Sequence, residues 1–327
     1  MRIVGAVLER LAFGFGLLLA VLILNFLLIH LAPGDPVQFL VGEMGGATDE
    51  FVESIRHSYG LDKSLWEQLG IYLLRAAHGD LGSSYYYHAP VIELFLRRAG
   101  PTVLLIATAT VLALVIGTTV GVFASRKPRG LLSAFVTILS LVGYSAPVFW
   151  TGLLLVIVFG TYLPIFPVQG MTDLSLQGSA LAHAVDVGRH LFLPALTLSI
   201  VYMAQYSRLT RSSMLEVLGA DFIRTARAKG VSEFGVVFVH ALRNAILPII
   251  TITGLHFGNL LSGAVLVETV FNWPGLGTLA FDSILRRDYP TILGLLFFSS
   301  VMVVVANILT EACYAWADPR IKSGGAA

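Results

Sequence analysis

Residues 102–124 read TVLLIATATVLALVIGTTVGVFA, a run without one charged side chain. Wound as a helix it would reach about 35 Å, enough to cross a hydrocarbon core about 30 Å thick. Of the 327 residues, 56% are hydrophobic and 13% are charged, whereas a typical globular domain carries about 25% charged residues. Such a chain has too little polar surface to meet water on every side, so lipid must act as solvent for much of it. The chain reads as an all-α integral membrane protein.

Outward from this run, the stretches 11–31, 131–159, 192–207, 245–267 and 292–316 also qualify as spans, so six transmembrane helices are expected. The stretch 192–207 is short, and its helix is expected to continue past Arg208 into water. The first run follows Arg2 and Arg10, a basic flank that a signal peptide would share. Its 21 apolar residues exceed the core of a signal peptide, which has about 7–15. It ends in His30-Leu31-Ala32-Pro33-Gly34-Asp35, a poor match to a small-x-small cleavage site, so it is expected to be a retained helix. Pro147 in YSAPVFW is expected to kink the third span, because proline removes a ladder hydrogen bond. Gly117 with Gly121, and Gly254 with Gly258, each place two glycines on one helix face, where a neighbouring backbone can approach closely.

Lysine and arginine placement orients the spans. With the N-terminus in the cytoplasm, 13 of the 21 basic residues lie inside and 8 lie in longer outside loops. The positive-inside rule therefore places both termini in the cytoplasm. The organisation expected is a cytoplasmic N-terminus and first helix over 1–32, an extracytoplasmic segment over 33–101, a five-helix core over 102–316 and a cytoplasmic tail over 317–327. In the extracytoplasmic segment, Leu61, Leu65, Leu69 and Tyr72 or Leu73 recur at helical spacing, and HGDLGSSYYYHAP supplies turns and an aromatic cluster.

Several kinds of chemistry are missing. No Gly-Lys pair occurs, so the chain has no GxxxxGK[ST] phosphate loop. The 8 histidines include no HExxH and no pair four apart. There is no GxSxG nucleophile elbow. Cys313, the single cysteine, excludes an internal disulfide and a CxxC site and reads as a small apolar filler. The span interiors hold no Asp, Glu, Lys or Arg, unlike a proton- or sodium-coupled carrier. His30, His256, Asn25, Asn259 and Asn307 fit helix-to-helix hydrogen bonding better than substrate contact. If the protein transports, its energy must come from another chain.

One insert stands apart. Residues 208–244 join the fourth and fifth spans and carry six basic residues. Within them GADFIRTARAKG, 219–230, has the grammar of a short helix. Asp221 suits its start, Arg227 and Lys229 suit its last turn, and Gly230 suits the left-handed position beyond it. Phe222, Ala226 and Lys229 fall on one face with Ile223 beside them, and Ala226 and Ala228 would allow close seating in a groove. A docking element and an amphipathic helix lying on anionic headgroups satisfy these features equally well.

RTARAKG followed by HALRNAILP resembles the cytoplasmic EAA loop of permease subunits of binding-protein-dependent ABC transporters, in the dipeptide, oligopeptide and nickel branch. LAPGDPV, YGLDKSLWEQ, GDLGSSY, VETVFNWPGLGTL, RDYP and the terminal DPRIK resemble the same branch, in order and along nearly the whole chain. Arg224 stands where the general loop has glutamate, and Leu242-Arg243 where it has Leu-Pro. The peptide branch shares these departures, so a salt-bridge pattern borrowed from sugar permeases does not carry over.

The resemblance implies a type I ABC importer permease fold with a helical extracytoplasmic segment after the first helix. It implies a pore made with a second homologous permease subunit, two separate ATPase subunits and an extracytoplasmic substrate-binding protein, in the cytoplasmic (inner) membrane of a prokaryote. The chain itself would be no enzyme and would bind no cofactor; ATP and Mg would belong to the ATPase subunits. Its contacts would be these proteins and the lipid bilayer, with no nucleic acid. Asp221, Phe222, Arg224, Thr225, Ala226, Arg227, Ala228, Lys229 and Gly230 would form the ATPase-coupling helix. Phe271, Trp273, Pro274 and Gly275 would lie in an outside loop that either helps gate the pore or serves as a structural hairpin. Di- or oligopeptides are the expected substrate, with nickel or other metal chelates, glutathione or another small solute as alternatives within the family. A secondary carrier or a non-transporting membrane scaffold fits less well.

Overall fold

The computed structural model describes residues 2–31, 63–173, 175 and 178–317. The APGDPV of LAPGDPV, Leu61 and the terminal DPRIK lie outside the described residues. Apart from one isolated bridge between Ser83 and Pro90, the regular structure among the described residues is helical. The chain divides into two compact units, Met1–Arg97 with Ala280–Val304 and Arg98–Leu279 with Val305–Ala327.

In the first unit, α1 (Arg2–Leu31) is apolar from Leu11 onward apart from Asn25 and His30, and α2 (Leu65–Ala77) is a short amphipathic helix. The Glu67 carboxylate reaches back to accept from the Ser64 backbone N–H at 3.1 Å, tying down the start of α2. Asn25, buried in α1, donates to the Leu293 carbonyl at 3.0 Å and thus bonds helix to helix. Phe95 and Phe298 stack with ring centroids 4.3 Å apart.

The second unit is arranged around one long helix. After α3 (Val91–Arg126) come α4 (Leu131–Ser145), α5 (Val148–Val156) and a wide π-helical turn over Ile157–Tyr162. Next is α6 (Ala180–Leu218), whose 39 residues make it about 58 Å long at 1.5 Å per residue. It runs well past Arg208, as the shortness of its apolar stretch suggested. Helices α4 and α5 pack along it, as does α9 (Leu247–Val270). Leu105 and Ile106 of α3 join Leu193 and Leu198 of α6 and Val267 of α9 in the main core, all at most 1% exposed. Between α6 and α9 lie α7 (Asp221–Ala228), a π-helical turn over Gly235–Ala241 and α8 (Leu242–Ala245). Last in the chain come α10 (Leu276–Leu285) and α11 (Tyr289–Ala317), of which residues 280–304 belong to the first unit.

Among the described residues three helices are long and apolar enough to cross a bilayer, Val91–Arg126, Ala180–Leu218 and Tyr289–Ile308, or up to five if each bent pair forms one span. The third expected span is broken rather than kinked. Its halves, Ser133–Gly143 and Val148–Tyr162, meet at 104°. Pro147 lacks an N–H and its ring pushes the preceding residue out of helical geometry, so Ala146 is extended at ψ 131° and a new helix starts after the proline. A gentler bend of 45° separates Gly235–Ala245 from Leu247–Thr253, next to Pro248.

Candidate functional site

Helix α7 is seated by its inner side and open on its outer side. Ile223 and Ala226 are buried with Met214 of α6, Val122 of α3 and Val236 and Ala241 of the returning segment. The expected face of Phe222, Ala226 and Lys229 is therefore corrected. Ala226 is turned into its own chain beside these neighbours, while Phe222 is 47% exposed and Lys229 is exposed. Asp221, Arg224, Thr225, Arg227, Ala228 and Gly230 are exposed as well.

Asp221 is the first helical residue, and the capping position belongs to Ala220. Its carboxylate thus sits in the positive first turn and lies 3.3 Å from Arg224. The helix end is closed twice over. The Gly230 N–H donates to the Arg227 carbonyl at 3.0 Å and the Val231 N–H to the Ala226 carbonyl at 3.2 Å. That paired closure requires a left-handed residue at 230, and Gly230 has φ +80°. Val231 then packs on the cluster that buries Ile223, and Arg227 reaches Glu233 at 2.7 Å across the turn. The result is a rigid hook with an outward rim of mixed charge and one exposed phenylalanine.

VETVFNWPGLGTL is a buried hub. Phe271, Trp273 and Gly275 are buried and Pro274 is half-buried. Asn272 takes φ +47°, closing α9, and the Trp273 N–H donates to the Glu268 carbonyl at 2.8 Å. The Trp273 indole donates to the Pro101 carbonyl of α3 at 3.0 Å. The aromatic side chains Phe271 and Trp273 of this loop thus belong to the packing of their own chain. Glu268 organises the turn. Its carboxylate accepts from the Thr102 hydroxyl at 2.6 Å and from the N–H groups of Gly277 and Thr278 at 2.6 and 3.2 Å. The Thr102 hydroxyl accepts in turn from the Leu276 N–H at 2.8 Å. Glu268 and Thr102 together satisfy the free N–H groups at the start of α10. A side chain on Gly275 or Gly277 would collide with the Glu268 carboxylate.

Of the expected packing glycines, Gly117 and Gly121 face α6 directly. A Cβ at Gly117 would lie 2.8 Å from the Tyr206 Cβ, and one at Gly121 would lie 2.6 Å from the Ser207 carbonyl oxygen. Gly254 and Gly258 belong to α9, but their surroundings lie outside the described residues.

A cavity of about 540 Å³ opens beside the loop that leads into α6. Pro164, Ile165, Phe166 and Pro167 line one part of it, and Thr172, Asp173, Asp186, Arg189 and His190 the rest. Asp173 is exposed, and hydrogen bonds from the Ser175 hydroxyl and N–H hold its carboxyl below the usual carboxylate range.

Residues 117–323 match the model of a family described as the inner membrane component of binding-protein-dependent transport systems. The chain belongs to that family. It is 38% identical to the dipeptide transport system permease protein of Escherichia coli (strain K12), over 97% of this chain and 98% of the relative. It is 42% identical to a putative peptide permease protein of Brucella suis biovar 1, covering 96% of this chain and 98% of the relative. It is 39% identical to the oligopeptide transport system permease protein of Bacillus subtilis (strain 168), covering 97% and 98%.

The inner-membrane component therefore carries two features that its local sequence patterns do not display. The Thr102–Glu268 bond joins residues 166 positions apart. The polar cavity collects residues from a proline-rich loop and the first turns of α6, with no motif in either.

Proposed function

We propose that the chain is a pore-forming permease subunit of an ATP-driven importer of di- or oligopeptides. The observation that carries this reading is full-length similarity to relatives named as dipeptide, peptide and oligopeptide permeases, with 96–97% of this chain covered. In this reading six helices cross the membrane, both termini are cytoplasmic, and 33–101 with the loop into α6 face outward. The positive-inside balance supports that orientation. A second, homologous permease completes the pore, and an extracytoplasmic binding protein delivers substrate.

Helix α7 is the element that would seat in a groove of one of two separate ATPase subunits, which would supply the ATP and Mg chemistry. Support comes from its construction, an exposed rim on a helix whose inner side is locked to the ends of α3 and α6. A push on that rim moves those helices with it, because packed side chains transmit displacement rather than absorb it.

The test is reconstitution of the complete complex with its binding protein, followed by ATP hydrolysis in the presence of candidate ligands. Short peptides are expected to stimulate hydrolysis. Stimulation by a metal chelate or glutathione, with none by any peptide, would overturn the substrate assignment.

A further inference from the structure

The cavity at the entrance to α6 holds opposite charges that do not neutralise one another. Arg189, Asp173 and Asp186 all line it, yet among the described residues no ion pair joins Arg189 to either carboxylate. Each is held by another contact. An Arg189 Nη donates to the Ile165 carbonyl at 3.4 Å. Asp173 Oδ1 accepts from the Ser175 N–H at 2.9 Å and its hydroxyl at 2.7 Å, which leaves Oδ2 without a partner among the described residues. Asp186 accepts from the Asp173 N–H at 2.8 Å and lies 3.4 Å from His190 Nδ1.

The site is also built on firm ground. The Asp186 and His190 side chains are only 14% and 7% exposed, so the acidic side rests on a packed floor. Phe166 stacks on Phe192 with centroids 4.4 Å apart, fixing the apolar wall between two prolines. Its volume of about 540 Å³ falls within the roughly 300–1,000 Å³ of small-molecule sites. Cation and anion held apart over one cavity, beside a wall with no charge, match a molecule with a charge at each end and a variable middle.

We propose that this cavity is a subsite for the ends of a short zwitterionic peptide, with Arg189 meeting the carboxylate and Asp173 the ammonium group. The inference rests on the outward orientation and the peptide reading given under Proposed function. The subsite would hold substrate between its release by the binding protein and its entry into the pore.

The test uses the permease–ATPase complex in nanodiscs without the binding protein, whose own selectivity would otherwise enter. Equilibrium binding is measured for trialanine, its C-terminal amide and its N-acetyl form. Wild-type complex is expected to bind trialanine about tenfold more tightly than either capped form, the usual size of one charge-assisted hydrogen bond. Arg189→Gln should abolish discrimination against the amide and keep that against the acetyl form; Asp173→Asn should do the reverse, and Arg189→Lys should restore part of the loss. Both residues are exposed, so these changes leave folding intact. Absence of trialanine binding, equal binding of all three forms by wild type, or a parallel loss of all three in both variants would overturn the proposal. ATP hydrolysis with the binding protein restored separates the two readings. Stimulation by trialanine without discrimination in nanodiscs sinks only the subsite, whereas no stimulation by any peptide sinks the peptide reading as well.

Discussion

The Ser84 hydroxyl donates to the Asp288 carboxylate at 2.5 Å, joining residues 204 positions apart. The bond links two of the recognisable motifs, GDLGSSY and RDYP, within one compact unit. Asp288 is 1% exposed and also accepts from the Tyr85 N–H at 3.1 Å and the Thr291 hydroxyl at 2.7 Å. Ser84 is itself an acceptor for the Tyr87 N–H at 2.8 Å. Nearby, the Arg286 guanidinium lies 3.6 Å from the centre of the Tyr86 ring. The aromatic cluster of Tyr85, Tyr86 and Tyr87 is therefore fastened to the start of α11 by a compact polar knot.

Asp288→Asn should loosen this knot more than its small change in shape suggests. The amide oxygen can keep the Tyr85 N–H, but the amide nitrogen would face the Ser84 and Thr291 hydroxyls, which must turn round to accept and lose their bonds to a carboxylate, at a cost of about 1–3 kcal/mol. Ser84→Ala removes both the bond to Asp288 and the acceptor for Tyr87. Thermal unfolding in detergent should fall by several degrees for each, with the double variant less than additive because the pair shares one network. Full additivity would show that the two residues act separately.

Glu268 makes a parallel prediction at the start of α10. Glu268→Gln keeps the volume but turns one acceptor into a donor opposite Thr102, Gly277 and Thr278. Glu268→Ala leaves those N–H groups uncapped, and Gly275→Ala forces a methyl into the carboxylate. All three should make the segment 271–285 sensitive to limited proteolysis, and Glu268→Ala should expose it most. Unchanged cleavage in all three would rule out the carboxylate as the organiser of the turn.

What the sequence made legible follows from physics that acts locally. Lipid demands long apolar helices, so the helices Val91–Arg126, Ala180–Leu218 and Tyr289–Ile308 could be anticipated from length and charge. The end of α7 was readable because a left-handed turn favours glycine, and Gly230 occupies it. The inner face of α7 was not readable. Periodicity grouped Phe222 with Ala226, but the burial of Ile223 is decided by Met214 and Val122, which no window around 219–230 contains. Pro147 signalled an interruption, while the 104° turn it permits depends on what each half packs against. Glu268 was visible as an acid near a span end; its role appeared only once Thr102 lay beside it.

The left-handed conformation at Gly230 predicts an ordering among substitutions. A Cβ there would meet nothing within 4 Å, so space does not limit the site and backbone strain alone does. Asparagine tolerates this conformation better than alanine, and a β-branched residue tolerates it least. Gly230→Asn should retain most transport, Gly230→Ala should lose part of it at a cost of roughly 1–2 kcal/mol, and Gly230→Val should lose most. Gly230→Asp adds charge to the rim and should weaken retention of the ATPase subunits on purification while membrane insertion stays intact. Normal import and full retention in Gly230→Asp would count against docking at this helix.

The two alanines of α7 separate seating from docking. Ala226 is 9% exposed inside its own chain, whereas Ala228 lies on the exposed side. Ala226→Leu must displace its packed neighbours, and overpacking of this kind costs about 1–3 kcal/mol. It should lower the unfolding temperature of the isolated permease in detergent. Ala228→Leu should leave that temperature unchanged, because its side chain points away from the cluster that holds the helix. If the outer rim is what the ATPase subunits grip, Ala228→Leu should nevertheless reduce their co-purification and uncouple peptide-stimulated ATP hydrolysis. Should both variants lower stability alike, the inner and outer faces assigned here would be wrong; should Ala228→Leu alter neither stability nor co-purification, docking would have to use another surface.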